Sequence, residues 1–542
     1  MPEALTPRAA EALLRPSAKS ATTLTAMLEY LHETGRGANI IGNGGATVTG
    51  ICLDSRAVQP GDLYVAAPGA RFHGAQFAPG AAQAGAAAVL TDIEGEATAS
   101  ALGLPVLLVD QVREVIGELS ALVYGTDEAC PELFGLTGTN GKTTTSYMIR
   151  SVLRALGRET GLVGTIEIAA GQTPIPSILT TPEAPQLHGL MARMRELGVE
   201  AATMEVSSHS LSYRRVDGLR FAVSGFTNLT QDHLDLHGSM QEYFETKALL
   251  FDLERSDRAV ITVDDDWGRK MAAQATAEVW TLATDPAAAD ADWVIDNVVP
   301  AGLGHRFELR GPEGTVLKAA TGLPGDFNVS NAALAVLMVL ASGVDPQRLQ
   351  EALDAANPLT VEVPGRMQVI AQAPASIVDF AHNPDALARA LSSVRSAEPG
   401  SRVIVVFGAT GERDATKRPI MGAVAARHAD VVIVTDDDPH SEDPAPIRAA
   451  VAAGARAEIR EHGLRSEVRE VHPRAAAIAA AVAMAGERDT ILVAGRGHEV
   501  FQEVMGVNLE LDDREELRRA LLAHGFNPLS AVSDSFDPAD EG

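Results

Sequence analysis

Short apolar runs, broken by Gly and Pro, alternate along this chain with stretches of helical periodicity. In residues 23–125 the runs Asp62–Ala66 and Ala86–Leu90 have strand length, and Ala81–Gly85 ends a helix feeding the second of them. That is the pattern of a small α/β unit. Between 126 and 362 the run Leu133–Thr137 precedes a glycine turn and a helix through about Leu156, and Ala202–Val206 and Ala259–Val263 read as further buried strands. Strands alternating with helices predict a largely parallel sheet covered on both faces. Near 286–321 the pattern changes to alternating strands, an antiparallel extension, and Asn331–Leu340 is an Ala-rich helix. A third unit, 363–526, places strands at Val403–Phe407, Val431–Thr435 and Thr490–Ala494 with helices between them. The expected fold is therefore α/β in three domains, the last of them a Rossmann-like open sheet. Residues 1–22 read as an N-terminal extension. Residues 527–542 are rich in Ser, Asp and Pro without Lys or Arg, and read as a disordered tail.

Composition narrows the function class. The chain has 542 residues with 44 Lys plus Arg against 72 Asp plus Glu, a net charge of −28. A surface this acidic repels nucleic acid and anionic lipid as main partners, but leaves room for an anionic small molecule held by a local cluster of donors. The cysteines are Cys52 and Cys130. They form neither a disulfide framework nor a metal spacing, which fits a reducing cytoplasm. No window reaches the roughly 18 apolar residues of a membrane helix. No apolar block follows the N-terminal Arg8, Arg15 and Lys19, so a secretory signal is not expected.

Three motifs carry chemistry. The first is Gly138-Thr139-Asn140-Gly141-Lys142-Thr143-Thr144, after an apolar strand and at the start of a helix. Glycines let backbone N–H groups approach phosphates at a helix N-terminus, Lys142 reaches the terminal phosphates and Thr143 can hold Mg²⁺. The usual first glycine of this loop is Leu136 here, so the form is shortened. The second is Met204-Glu205-Val206-Ser207-Ser208-His209, whose Glu205 sits at a strand end as a hard oxygen ligand. The third runs from Thr227 to Gly238 and packs Asp232, His233, Asp235 and His237 into six residues. On its own that density leaves metal or catalytic work and capping open as alternatives. Lys247, ten residues past His237, reads on composition alone as a solvated helix face.

Together these motifs resemble the Mur ligases. Leu53-Asp54-Ser55-Arg56 with Pro60–Ala66, Phe407-Gly408 with Gly411-Glu412-Arg413-Asp414, Lys417-Arg418-Pro419, and Gly495-Arg496-Gly497-His498-Glu499 resemble the MurE-type branch, over roughly residues 50–505. The resemblance implies an ATP-dependent, cytoplasmic ligase of peptidoglycan synthesis, acting as a monomer on UDP-N-acetylmuramoyl-L-alanyl-D-glutamate, ATP and a diamino acid. It implies a UDP-binding first domain (Leu53, Ser55, Ala70, Arg71, Phe72) and a P-loop-type central domain. The central domain would hold the dipeptide with Thr180, Thr181, Ser207, Arg215 and, where relatives often have Gln, Tyr213. Thr143, Glu205 and His233 would hold Mg²⁺, joined by Lys247 as a CO₂-derived carbamate. Such a group turns a repelling ammonium into an anion. Asn331, Arg366, Asp379 and His382 would close over ATP. Lys142, Mg²⁺ and loop N–H groups would then offset charge as an acyl phosphate forms.

The incoming amino acid falls to Arg413, Asp437, Asp438, His440, Gly495 and Glu499. Enzymes of this type that add meso-diaminopimelate carry Asp-Asn-Pro-Arg where this chain has Asp437-Asp438-Pro439-His440. Losing Arg and gaining Asp favours a distal ammonium over a distal carboxylate. L-lysine is therefore the expected substrate, with diaminopimelate, and ornithine, as alternatives. A folylpolyglutamate-synthetase-like ligase is a more distant alternative, and an ATP-sensing switch protein a rival of another class.

Overall fold

A computed structural model describes residues 6–69, 71–175, 179–287, 290–396 and 398–530. Three sheets organise the chain. The first has five strands in the order Ala38–Ile41, Val106–Val109, Ala88–Thr91, Asp62–Ala66, Gly50–Cys52, with the first pair antiparallel and the rest parallel. The strand expected at Ala86–Leu90 thus starts two residues later, because Gly85 caps the preceding helix in the left-handed region.

The second sheet has eleven strands. Its parallel centre runs Thr160–Val163, Ala201–Glu205, Glu132–Thr137, Phe221–Phe226, Ser256–Thr262, Glu278–Ala283, Trp293–Ala301. The expected antiparallel extension is the edge Trp293–Ala301, Gly304–Arg310, Val316–Thr321. The helix Asp326–Ala341 is apolar nearly all round and buried from Ala332 through Ala341, as a helix enclosed on every side must be. It packs beside the helix Lys142–Ala155, and so carries Asn331 to the phosphate loop.

The third sheet has six strands, in the order Gln368–Gln372, Ala375–Asp379, Thr490–Ala494, Val403–Phe407, Val431–Val434, Glu467–Glu470. All but the first pair are parallel. Every residue of Val403–Phe407, Val431–Val434 and Thr490–Ala494 is buried, which is why these strands read as unbroken apolar runs.

Both chain ends differ from expectation. The segment read as an extension forms a helix, Pro7–Leu13, capped by Thr6, and wedges between the first two units. Arg15 is buried, with Nη1 donating to Asp62 Oδ1 at 2.6 Å and Nη2 to Glu11 Oε1 at 3.1 Å. Gln186 Nε2 of the central unit donates to Glu11 Oε2, and Leu14 joins the central core beside Leu187, Leu190 and Met191. At the other end, residues 527–530 are not a free tail: Leu529 N donates to Ile370 O at 2.8 Å. Residues 531–542 lie outside the described residues.

Candidate active site

The phosphate loop leaves the strand Glu132–Thr137 and enters the helix Lys142–Ala155. Gly138 and Gly141 have φ of 142° and 94°. A Cβ on Gly138 would lie 1.9 Å from Thr227 Oγ1, and one on Gly141 2.4 Å from Asn331 Oδ1, so both positions demand glycine. Lys142 Nζ donates to Gly138 O and Thr139 O, each at 2.9 Å. Burial lowers its pKa, against the pull of Glu205 and Asp232. The substitution of Leu136 for the usual glycine is harmless here, because Leu136 is a fully buried strand residue of the core.

Glu205 ends the strand Ala201–Glu205 and is buried. It accepts from Thr143 Oγ1 at 2.9 Å, Thr165 N at 2.9 Å and Thr165 Oγ1 at 3.0 Å. Around it stand the residues expected for the dipeptide. Thr181 Oγ1 donates to Glu205 O, Thr165 and Thr180 share a hydroxyl bond, and Arg215 Nη1 donates to Thr181 O while its Nε pairs with Glu183 at 2.8 Å. Tyr213 is 42% exposed and lies 5.5 Å and 5.9 Å from the Arg215 and Arg113 guanidinium carbons.

Lys247 is not on a solvated face. It is 1% exposed, its Nζ donates to Gly138 O at 2.9 Å and sits 4.6 Å above the Tyr243 ring. Among the described residues no carboxylate comes within ion-pair distance of it. Burial first, and then the charge of Lys142, push its pKa well below the ordinary lysine value. Both effects favour the neutral amine more than in a solvated lysine.

The dense histidine segment divides its labour. His237 is buried, bonds Ser208 Oγ at 2.9 Å and packs on Tyr243, a packing role. His233 lies at φ 53°, with its ring 5.0 Å edge-on from His209. Asp232 faces the third unit, with His382 Nε2 3.7 Å away. Burial would raise the Asp232 pKa, but His382, His233 and Lys417 hold it well below the carboxylate range. Asn140 spans the same seam: its Nδ2 donates to Asp385 Oδ2 at 3.1 Å, and its Oδ1 accepts from Asn383 Nδ2 at 3.2 Å. Asp385 went unnoticed in the sequence. The available signal was Asn before Pro384, an N-cap at the start of the helix Pro384–Ser393.

One cleft of about 650 Å³ is lined by loop residues 139–144, Thr180, Thr181, Glu205, Ser207, Arg215, His233, Asn331, Arg366, Asp379 and His382. Arg413, Asp437, Asp438, His440, Gly495 and Glu499 line it too. A second cavity of about 840 Å³ adjoins it through Asn140, Gly141, Phe327 and Asn331. Arg366 stacks 4.1 Å from the Phe380 ring, and Asp379 accepts from Met367 N and Ala381 N. Leu53, Ser55, Arg71 and Phe72 do not line this cleft. They belong to the first unit, where Arg71 and Phe72 are exposed. Ala70 lies outside the described residues.

The electrostatics at Asp438 differ from expectation. The sequence suggested an anion gained and a cation lost. Instead Arg496, fully buried, donates from Nη1 to Asp438 Oδ1 at 2.5 Å. The charge of Asp438 is balanced in place. Burial, opposed by Arg496, still raises its pKa.

Profiles for the Mur ligase family catalytic domain, the Mur ligase middle domain and the Mur ligase glutamate ligase domain match residues 47–124, 136–339 and 365–497. A Streptomyces coelicolor UDP-N-acetylmuramoyl-L-alanyl-D-glutamate--2,6-diaminopimelate ligase is 45% identical over 94% of this chain and 98% of its own length. The chain belongs to the Mur ligase family. A Leifsonia xyli subsp. xyli UDP-N-acetylmuramyl-tripeptide synthetase is 43% identical to this Mur ligase, over 89% of this chain and 93% of its own. A solved UDP-N-acetylmuramoyl-L-alanyl-D-glutamate--2,6-diaminopimelate ligase superposes with a TM-score of 0.63 at 30% identity, over 90% of this chain and 98% of that one. This Mur ligase is an ATP-dependent, ADP-forming amino-acid ligase, as its family is. No helix among the described residues is long and apolar enough to cross a membrane.

Proposed function

We propose that this Mur ligase joins a diamino acid to the D-glutamate of UDP-N-acetylmuramoyl-L-alanyl-D-glutamate in the cytoplasm, for peptidoglycan synthesis. The observation that carries the reading is the single cleft shared by the phosphate loop, Thr181, Ser207 and Arg215, and the third unit's Arg413, Asp438 and His440. ATP, acyl donor and amine acceptor can meet only where all three sets converge. The first unit, with Leu53, Ser55, Arg71 and Phe72, would take the distant UDP end.

In this reading a carboxylate oxygen of the D-glutamate attacks the γ-phosphorus, and the bond to the β-phosphate oxygen breaks to release ADP. The neutral amine of the incoming amino acid then attacks the acyl carbon, phosphate leaves and the nitrogen loses a proton. Lys142 must turn from Gly138 O and Thr139 O toward the phosphates, where its charge offsets what develops. Asn331, Arg366, Asp379 and His382 close on the nucleotide, and closure keeps water from the acyl phosphate.

The donors present fit a Mg²⁺ ion: Thr143 Oγ1 and the Glu205 carboxylate are adjacent hard oxygens. Such an ion is ordinarily completed by substrate phosphates and water, and a further anion beside these two oxygens would strengthen its hold. Lys247 would supply it: burial favours the free-amine form over the ammonium, and a free amine can add CO₂ and release a proton to form a carbamate. Thr143, Glu205, His233 and the carbamate of Lys247 would then hold the ion, which when bound neutralises charge on the ATP phosphates. Carbon-13 NMR of protein equilibrated with labelled bicarbonate should show one carbamate resonance, absent from Lys247→Met.

Diaminopimelate is the acceptor best supported. Relatives at 45% and 46% identity carry it in their names, and Arg496 cancels the anion at Asp438. L-lysine retains one supporting observation, the Asp437-Asp438-Pro439-His440 segment itself, which has no Arg. ADP release by the purified protein should require both the UDP-dipeptide and a diamino acid. Turnover indifferent to either would overturn the ligase reading, and the ratio of kcat/KM for the two amino acids decides between them.

A further inference from the structure

The strand-end loop after Thr490–Ala494 runs into a two-stranded hairpin, Phe501–Val504 and Val507–Glu510. Nothing in its sequence marks it as functional. Yet it braces Asp437, Asp438 and His440, three of the four residues of the amino-acid segment. Gln502 Nε2 donates to Asp437 O at 2.5 Å, and Glu503 N to Asp438 Oδ1 at 2.9 Å. His440 N donates to Glu503 O at 3.2 Å, and Met505 N to His440 O at 2.7 Å. His440 lies in the left-handed region at φ 51°, where histidine is found more often than most residues, and the hairpin's two backbone bonds fix it there. The hairpin also supplies a side chain: Glu503 Oε2 lies 2.9 Å from His440 Nδ1.

That contact settles the histidine tautomer. An ionised carboxylate only accepts, so the proton sits on Nδ1 and donates to Glu503. Nε2 is left without a hydrogen-bond partner among the described residues, on a side chain that lines the cleft. In the neutral ring Nε2 accepts, as an ammonium requires. In the protonated ring it donates, as a carboxylate requires. Asp438 next to it is already balanced by Arg496. Glu442 is engaged by Glu412 N and Arg418 Nη2. Arg413 and Lys417 line the same cleft.

We infer that Glu503 is a positioning residue for amino-acid selection. By holding His440 at Nδ1 it presents Nε2 as the polar atom that meets the distal end of the incoming side chain. The inference rests on the ligase reading above and adds a residue to it.

Steady-state kinetics of Glu503→Ala and Glu503→Gln test it. With Glu503→Ala the KM for the diamino acid should rise about tenfold, while KM for ATP and for the UDP-dipeptide stays within about twofold. The kcat/KM ratio of diaminopimelate to lysine should shift about fivefold, and its pH profile should change. Glu503→Gln keeps an acceptor for Nδ1–H and should recover most of the lost affinity. If all three KM values move together, or both amino acids lose equally, Glu503 only supports the hairpin and the inference falls. Nitrogen-15 NMR of His440 gives a readout that needs no turnover: Nδ1–H in the parent protein, Nε2–H in Glu503→Ala. An Nε2–H tautomer in the parent overturns the inference. A correct tautomer in a protein that turns over no diamino acid would instead sink the ligase reading.

Discussion

The central unit meets its two neighbours in opposite ways. Against the first unit it is fused. Arg15 pairs with Glu11 and Asp62 out of water, and Leu14 enters the central core. Gly117 backs so closely onto Asp217 that a Cβ would lie 2.3 Å from its carbonyl oxygen. His188 is buried between Thr126 Oγ1 at 2.6 Å and Asp217 O at 3.0 Å. Against the third unit the seam at the cleft is polar: Asn140 with Asn383 and Asp385, and Asp232 with His382. Buried charges and apolar contacts are lost only by unfolding the junction. Amide and carboxylate contacts lining a cleft can be exchanged for water or ligand at lower cost. This contrast predicts that the first two units act as one platform and that closure belongs to the third.

The largest test of this contrast is Arg15→Met. It leaves Glu11 and Asp62 buried without their cation, and should cost about 3–5 kcal/mol in urea unfolding. A loss below about 1 kcal/mol would mean that the first junction is not held by this cluster.

His188 gives the next effect. Burial lowers its pKa from 6.5 to about 4. Below 6.5 the unfolded chain binds a proton that the folded chain refuses until about pH 4. Stability is therefore full above 6.5 and falls through that window by up to roughly 3 kcal/mol. Tm measured from pH 7 down to 4.5 should show the fall, and His188→Gln should flatten it. A parallel slope in the variant would assign the acid sensitivity elsewhere.

At the polar seam the effects should be smaller and kinetic. Asn383→Ala removes the cap on Ala386 N and the bond to Asn140. We expect about 1 kcal/mol of stability lost, with kcat/KM for ATP down about tenfold. Asp385→Ala should change stability by no more than about 0.5 kcal/mol, and still raise KM for ATP. If Asp385→Ala lowered Tm as Arg15→Met does, the two junctions would be alike and the platform picture would fail.

How much was legible follows the same division. Buried parallel strands such as Val403–Phe407 were visible because both faces need apolar residues. Gly138 and Gly141 were visible because only glycine tolerates their φ beside Thr227 and Asn331. Lys247 was invisible on composition, since a buried lysine and a solvated one share a letter; only the resemblance pointed to it. The segment Pro7–Lys19 looked like an appendage because its partners Asp62, Gln186 and Glu196 are far along the chain.

The sequence by itself determined the α/β class, the phosphate loop, Glu205 and the family, because periodicity, glycine placement and ordered motifs are local properties. Only the tertiary structure decided the state of the site. It put Arg496 on Asp438 and Glu503 on His440, buried Lys247 away from the carboxylates of the described residues, and made one domain junction a buried charge cluster and the other a seam of amide and carboxylate contacts. Charge and pKa depend on what stands within a few ångströms in space, and a chain of letters does not state that.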